Sequence, residues 1–341
     1  MMKLRFAVAL LLALLCAVPV LAHEASDIVI TGVWARATAG QMAMADDHSM
    51  HHQETTAEAD SEVVYGPSAA YMVIENRGSH PIRLSSAATD AAGTVEIHET
   101  QMDGGVMRMR ELESGLDIPA GETAELAPGG YHVMLLDLPR DLLPGEAFVL
   151  ALTFDMLDDD GTVKGEPMVI EVGVPVLSEP PAAGDVVAID VWARATAAKM
   201  DENGMEHSPG APAATPEPEA VYGPSAVYMI LENRGPAADR LVAARTDAAG
   251  TVEIHETQMD GSVMRMRPIE NGLEIPAGSS VTLEPGGYHI MLLDLPRDLL
   301  PGEAVALTLV FESGFELVVG APVREMSGMQ MDHDYNHGSG G

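Results

Sequence analysis

The sequence predicts an all-β protein of two tandem antiparallel domains, each a sandwich or a barrel. Three observations predict it. A long internal repeat divides the chain into similar halves. Within each half the apolar runs are short and are punctuated by Gly, Pro and Asp. No long helical periodicity appears beyond the N-terminal apolar segment.

The repeat is close. Val33-Trp34-Ala35-Arg36-Ala37-Thr38 recurs as Val191-Trp192-Ala193-Arg194-Ala195-Thr196, and Tyr65-Gly66-Pro67-Ser68-Ala69 recurs from Tyr222 to Ala226. Thr89 to Gly104 is identical to Thr246 to Gly261 over sixteen residues, and Leu135 to Ala147 recurs from Leu292 to Ala304. A unit of this length present twice means two globular domains rather than a solenoid. The expected order is a signal segment over 1–22, a first domain over 23–178, a short Pro-rich linker over 179–185, a second domain over 186–325 and a tail over 326–341. Each domain carries a low-complexity insert, at 40–62 and 199–219, that is poor in large apolar residues and reads as a loop.

Within each unit, runs such as Ala69 to Ile74, Thr94 to Glu99, Gly130 to Leu136 and Phe148 to Phe154 have the length of strands. The turns between them are marked by Asn76-Arg77-Gly78, Asp103-Gly104-Gly105, Pro119-Ala120-Gly121 and Pro128-Gly129-Gly130.

The N-terminus reads as an export signal. Lys3 and Arg5 precede an apolar run from Ala7 to Val18, and Val20-Leu21-Ala22 closes it. The run is shorter than the roughly 20 residues that span a bilayer, so cleavage after Ala22 and no membrane insertion thereafter are expected. Cys16 is the only cysteine and lies inside this segment, behind Leu15, an unfavourable residue before a lipidated cysteine. The exported chain then has neither thiol nor disulfide. Cys-based zinc, iron–sulfur and blue-copper sites are excluded with it. The net charge of −34, or −36 once Lys3 and Arg5 leave, disfavours nucleic-acid binding and favours cations or basic partners. No nucleophile elbow, metal-hydrolase His spacing or phosphate loop is present, so the chain does not read as an enzyme.

The soft ligands that remain are the 22 Met and 12 His. In a strand from Thr94 to Glu99, Val95 and Ile97 point inward and His98 outward, with Thr94 and Glu96. Met107 and Met109 share a face opposite Arg108 and Arg110, and His132 and Met134 share a face two residues apart. The second half offers His255, Met264, Met266, His289 and Met291 at matching spacings. Where such strands adjoin, two imidazoles and one or two thioethers converge on an exposed strand face. That mixture selects copper(I) over zinc, calcium or magnesium.

The sequence from His98 through Met109 to His132-Val133-Met134 resembles the signature of the PCu(A)C periplasmic copper chaperones. Val106-Met107-Arg108-Met109-Arg110, Pro128-Gly129-Gly130-Tyr131-His132 and Trp34-Ala35-Arg36-Ala37-Thr38 fit it too. The resemblance covers both repeats. It implies tandem cupredoxin-like, Greek-key β-sandwiches with copper(I) ligands His98, Met109, His132 and Met134, then His255, Met266, His289 and Met291. It also implies an exported carrier, periplasmic or otherwise extracytoplasmic, that delivers copper towards the dinuclear copper centre of cytochrome c oxidase, in its subunit II. The competing reading is a copper-sequestering protein without a recipient.

Further Met and His lie outside the repeats' strands. The first insert holds Met42, Met44, His48, Met50, His51 and His52, and the tail holds Met326, Met329, Met331, His333 and His337. These mixed tracts read as collectors of copper in either oxidation state.

Overall fold

The structure, a computed structural model, describes residues 27–38, 65–104, 106–158, 160–196, 222–260 and 263–326. The expected signal segment, both inserts and all of the expected tail but Met326 lie outside them. Among the described residues there are twenty β-strands and no helix. The first half contains β1 (Ile28–Arg36), β2 (Ser68–Asn76), β3 (Ile82–Ala88), β4 (Thr94–Asp103), β5 (Val106–Glu111), β6 (Leu116–Ile118), β7 (Thr123–Leu126), β8 (Tyr131–Leu136), β9 (Ala147–Leu157) and β10 (Val163–Leu177). The second half repeats them as β11 (Val186–Arg194), β12 (Ser225–Asn233), β13 (Asp239–Arg245), β14 (Thr251–Asp260), β15 (Val263–Pro268), β16 (Leu273–Ile275), β17 (Ser280–Leu283), β18 (Tyr288–Leu293), β19 (Ala304–Phe311) and β20 (Glu316–Arg324).

Each half is a two-sheet sandwich. In the first, β1, β2, β8, β4 and β5 follow one another in one sheet, with β7 also beside β2. The other sheet runs β6, β3, β9, β10. The chain crosses between the sheets after β2, β3, β5, β6 and β8, in Greek-key manner rather than up and down. The sheets are not wholly antiparallel as the sequence suggested. The 15-residue β10 is long enough to leave the second sheet and finish parallel to β1, through Ala35↔Val176 and Arg36↔Leu177.

Alternation along the strands fills the space between the sheets. Met72, Leu84, Val133, Leu135, Leu152 and Phe154 are buried there, and Met229, Leu241, Ile290, Leu292, Leu309 and Phe311 repeat the set. Each such side chain stabilises the fold by about 1.5–3 kcal/mol, and with no thiol outside the N-terminal segment this burial carries the stability.

Two backbone features shape the outer face of the first sheet and the seam between the halves. In β1 an extra residue is accommodated between Thr31 and Trp34, with Gly32 at φ 60°. This β-bulge reverses the facing of the residues after it and turns Trp34 to the outside of the sheet, opposite Tyr71. The second half makes the same bulge with Asp190 at φ 55°. The halves themselves join where β10 meets β20, at Gly173↔Gly320. A Cβ on either glycine would overlap the other's backbone. Arg77 reaches Glu232 at 3.2 Å, and Arg234 reaches Glu75 in return.

Candidate metal centre

The antiparallel pairing of β4 with β8 sets His98 directly opposite His132, and Glu96 opposite Met134. The two imidazole centroids are 5.7 Å apart with their planes at 65°. On the other side of β4, β5 sets Met109 opposite Thr100 and Met107 opposite Met102. Residues two apart share a face, so all of these lie on the outer face of the sheet. The inner face carries Ile97, Val133 and Leu135. The second half repeats the arrangement. His255 faces His289 at 5.6 Å and 63°, Glu253 faces Met291, and Thr257 faces Met266.

The hydrogen bonds assign the tautomers. His132 donates from Nδ1 to the Gly130 carbonyl at 3.1 Å, which leaves Nε2 with its lone pair. Gly130 closes the Ala127–Gly130 turn, in which Gly129 takes φ 88°. His98 donates from Nε2 to the Glu96 carboxylate at 2.7 Å, and its Nδ1 is left buried without a partner. The second half matches: His289 with Gly287 at 3.2 Å, His255 with Glu253 at 2.7 Å, and His255 Nδ1 buried and unpartnered. A buried unpaired nitrogen costs about 1–3 kcal/mol, and a metal would satisfy it. Burial, foremost, pushes the His132 pKa down, and His98 and Arg36 push the same way against the Gly130 hydrogen bond. His289 is lowered for the same reasons, with His255 and Arg194 as its neighbours. Both imidazoles are therefore held in the neutral form that binds metal.

The face is not open as the sequence reading assumed. His132 is only 4% exposed and Met134 is half-buried. The bulge explains this: Trp34 packs on Tyr71 with ring centroids 4.6 Å apart and planes tilted by 31°, and together with Ala69 they form a small outer cluster against which Met134 packs. Tyr71 lies 6.4 Å from His132 and accepts a hydrogen bond from Arg36 at 2.9 Å. Met109 differs, standing 61% exposed on the β4–β5 hairpin one rung beyond His98. The histidine rung is thus bracketed by Met134 on its walled side and Met109 on its open side. Among the described residues no three His, Cys, Asp or Glu side chains converge as a metal set. Sequence reasoning did not single out Glu96, Gly130, Tyr71 or Met102 as site residues. The signal for both Glu96 and Met102 is their even spacing from His98; for Met102 it is legible only once β4 is known to run on to Asp103.

The LpqE-like family profile matches residues 28–164 and again 186–323. Among curated relatives, a Leifsonia xyli subsp. xyli (strain CTCB07) protein named as a lipoprotein is 36% identical over 106 residues, 31% of this chain and 64% of its own length. An uncharacterized protein of Rickettsia prowazekii (strain Madrid E) is 31% identical over 112 residues, 33% of this chain and 59% of its own. The chain thus spans about three fifths of the length of each of these relatives. Among solved structures, the copper-bound PCuAC domain from PmoF2 aligns at 24% identity and a TM-score of 0.29, covering 42% of this chain and 96% of that domain. DR1885 of Deinococcus radiodurans, solved with copper(I), aligns at 26% identity and a TM-score of 0.26, covering 44% of this chain and 79% of that one.

Proposed function

Because the chain belongs to the LpqE-like family, of PCuAC type, once in each half, we propose that it is an extracytoplasmic copper carrier. Each domain, over 23–178 and 186–325, holds one copper(I) ion and passes it to a recipient protein. The ligands are His98 Nδ1, His132 Nε2, Met109 and Met134 in the first domain, and His255, His289, Met266 and Met291 in the second. The carrying observation is the buried, unpartnered Nδ1 of His98 on a ring whose centroid lies 5.7 Å from that of His132, itself fixed through Nδ1 by Gly130, and the same arrangement at His255 and His289. Two imidazoles and two thioethers suit a soft monovalent ion, and this donor set holds no thiolate or carboxylate that would favour zinc or a harder cation.

The asymmetry between the ligands supports carriage over storage. His132 is buried and fixed, whereas Met109 is exposed on a hairpin, so one arm of the site can release the ion to an incoming donor set. The recipient we propose is the dinuclear copper centre in subunit II of cytochrome c oxidase, on the resemblance to the PCu(A)C chaperones. The strongly acidic chain supports attraction of a cation and of a basic docking face.

Anaerobic titration of the full chain with copper(I) against a chromogenic chelator tests the metal reading. Two tight equivalents are expected, and none at micromolar copper would end it. Incubating the loaded chain with the soluble apo copper domain of the oxidase subunit, then measuring copper in each separated protein, tests delivery. If copper stays with the carrier, the chain sequesters the metal instead.

A further inference from the structure

The β4–β5 hairpin carries thioethers that the proposed centre does not use. Met102 is 70% exposed and Met107 61% exposed, and they face each other across the hairpin. Apolar side chains held this far into water contribute nothing to the core. The hairpin is two-faced. On its other side Arg108 pairs with Asp103 at 3.5 Å and Arg110 with Glu99 at 3.9 Å. Its methionine face continues directly into the metal centre: Met102 and Met107, then Thr100 and Met109, then His98. Successive rungs on one face lie about 7 Å apart, two residues along a strand. Directly opposed side chains have their Cβ atoms roughly 4.5–5.5 Å apart, and the flexible Met chain allows two sulfurs to close on one ion between them. The second half repeats the register, with Met259 opposite Met264, and Met264 is 58% exposed.

We propose that Met102 and Met107 form an outer, thioether-only subsite for a soft monovalent ion, at which copper(I) is first captured and from which it steps by way of Met109 to the histidine rung. The capture role rests on the copper-carrier reading, while the subsite itself does not. Met264 occupies the place of Met107 in the second half.

Silver(I), a redox-stable ion of the same d-electron count, is the probe. The full chain is labelled at the methionine methyl carbons, the signals are assigned by single Met→Leu variants, and silver(I) is titrated while carbon-resolved spectra are recorded. The first two equivalents should shift Met109, Met134, Met266 and Met291, and further silver should shift Met102 and Met107. In the double variant Met102→Leu/Met107→Leu the later uptake on the first hairpin should be lost while Met134 still shifts. Leucine is close to methionine in volume and both positions are exposed, so the fold is retained. If Met102 and Met107 stay unmoved while Met134 shifts, the outer subsite is overturned and the centre stands. If they shift while Met134 does not, the centre is overturned and the outer subsite stands.

Discussion

Replacing Glu96 with Gln should weaken copper binding in the first domain without disturbing its fold. Glu96 holds His98 through the 2.7 Å bond at Nε2, and that bond leaves Nδ1 as the nitrogen available to the proposed metal. Glutamine keeps the shape and can still accept through its amide oxygen, so the tautomer survives, but the negative charge behind the imidazole is gone. Such partners of metal-bound histidines typically contribute 10–100-fold in affinity. The Glu96 and His98 side chains are 28% and 15% exposed. Partial access to water screens the carboxylate, which places the expected loss near the lower end, about tenfold, or about 1.4 kcal/mol. The apo protein should lose no more than about 0.5 kcal/mol, because a partly exposed pair adds little to stability. The assay is chelator competition on the full chain, in which the second domain is an internal standard. One equivalent should keep its affinity and the other fall by about tenfold, with Glu253→Gln producing the mirror result. Two unchanged equivalents would refute the assignment of His98 Nδ1 as a ligand.

The same geometry sets three other outcomes. His132→Ala should remove one copper equivalent and lower apo stability by about 1–3 kcal/mol, since it deletes a buried ring and its Gly130 hydrogen bond; denaturant melts read the second effect and chelator titration the first. The lowered pKa values of His132 and His289 mean that the unfolded chain binds more protons than the folded one from about pH 6.5 downward. Their contribution is fully present above that pH and is lost as pH falls towards the depressed folded values. Apo melting temperature should decline across this window, and the double variant His132→Gln/His289→Gln should flatten the decline; an unchanged slope would count against the burial argument. Gly173→Val should separate the halves, because the side chain meets the Gly320 backbone, at a cost of about 1–3 kcal/mol. Solution scattering should then report a larger radius with both domains still folded.

Much of this was legible in the sequence because it is local. The Gly and Pro turns marked the strand ends, and the alternation of His132 with Met134 placed them on one face. Pairings between strands distant in sequence were not legible. Nothing in Thr94 to Glu99 says that His98 faces His132 rather than a neighbour, because register is fixed by packing of the whole sheet. The bulge at Gly32 was hidden in another way. The repeat carries Asp190 at that place, so the two halves together obscure the left-handed position that either one needs. Strict alternation without the bulge gives Trp34 no outward place and leaves the histidine face open to solvent, so the burial of His132 is not legible from the sequence.

The junction at Gly173 and Gly320 has the form of a symmetric dimer's dyad: glycine meets glycine, and each half's arginine meets the other half's glutamate. In a homodimer every substitution at such a seam is made twice, so a harmful change is doubled and a compensating one cannot act alone. Joining the subunits in one chain removes that constraint, and the halves have begun to part. The first has strands of 11 and 15 residues where the second has 8 and 9. Arg36 donates to the Tyr71 hydroxyl, whereas its counterpart Arg194 donates to the Pro224 carbonyl. The two proposed centres are thereby locked in a one-to-one ratio yet free to diverge in strength, so a single chain can come to hold a tighter and a looser berth for the same cargo.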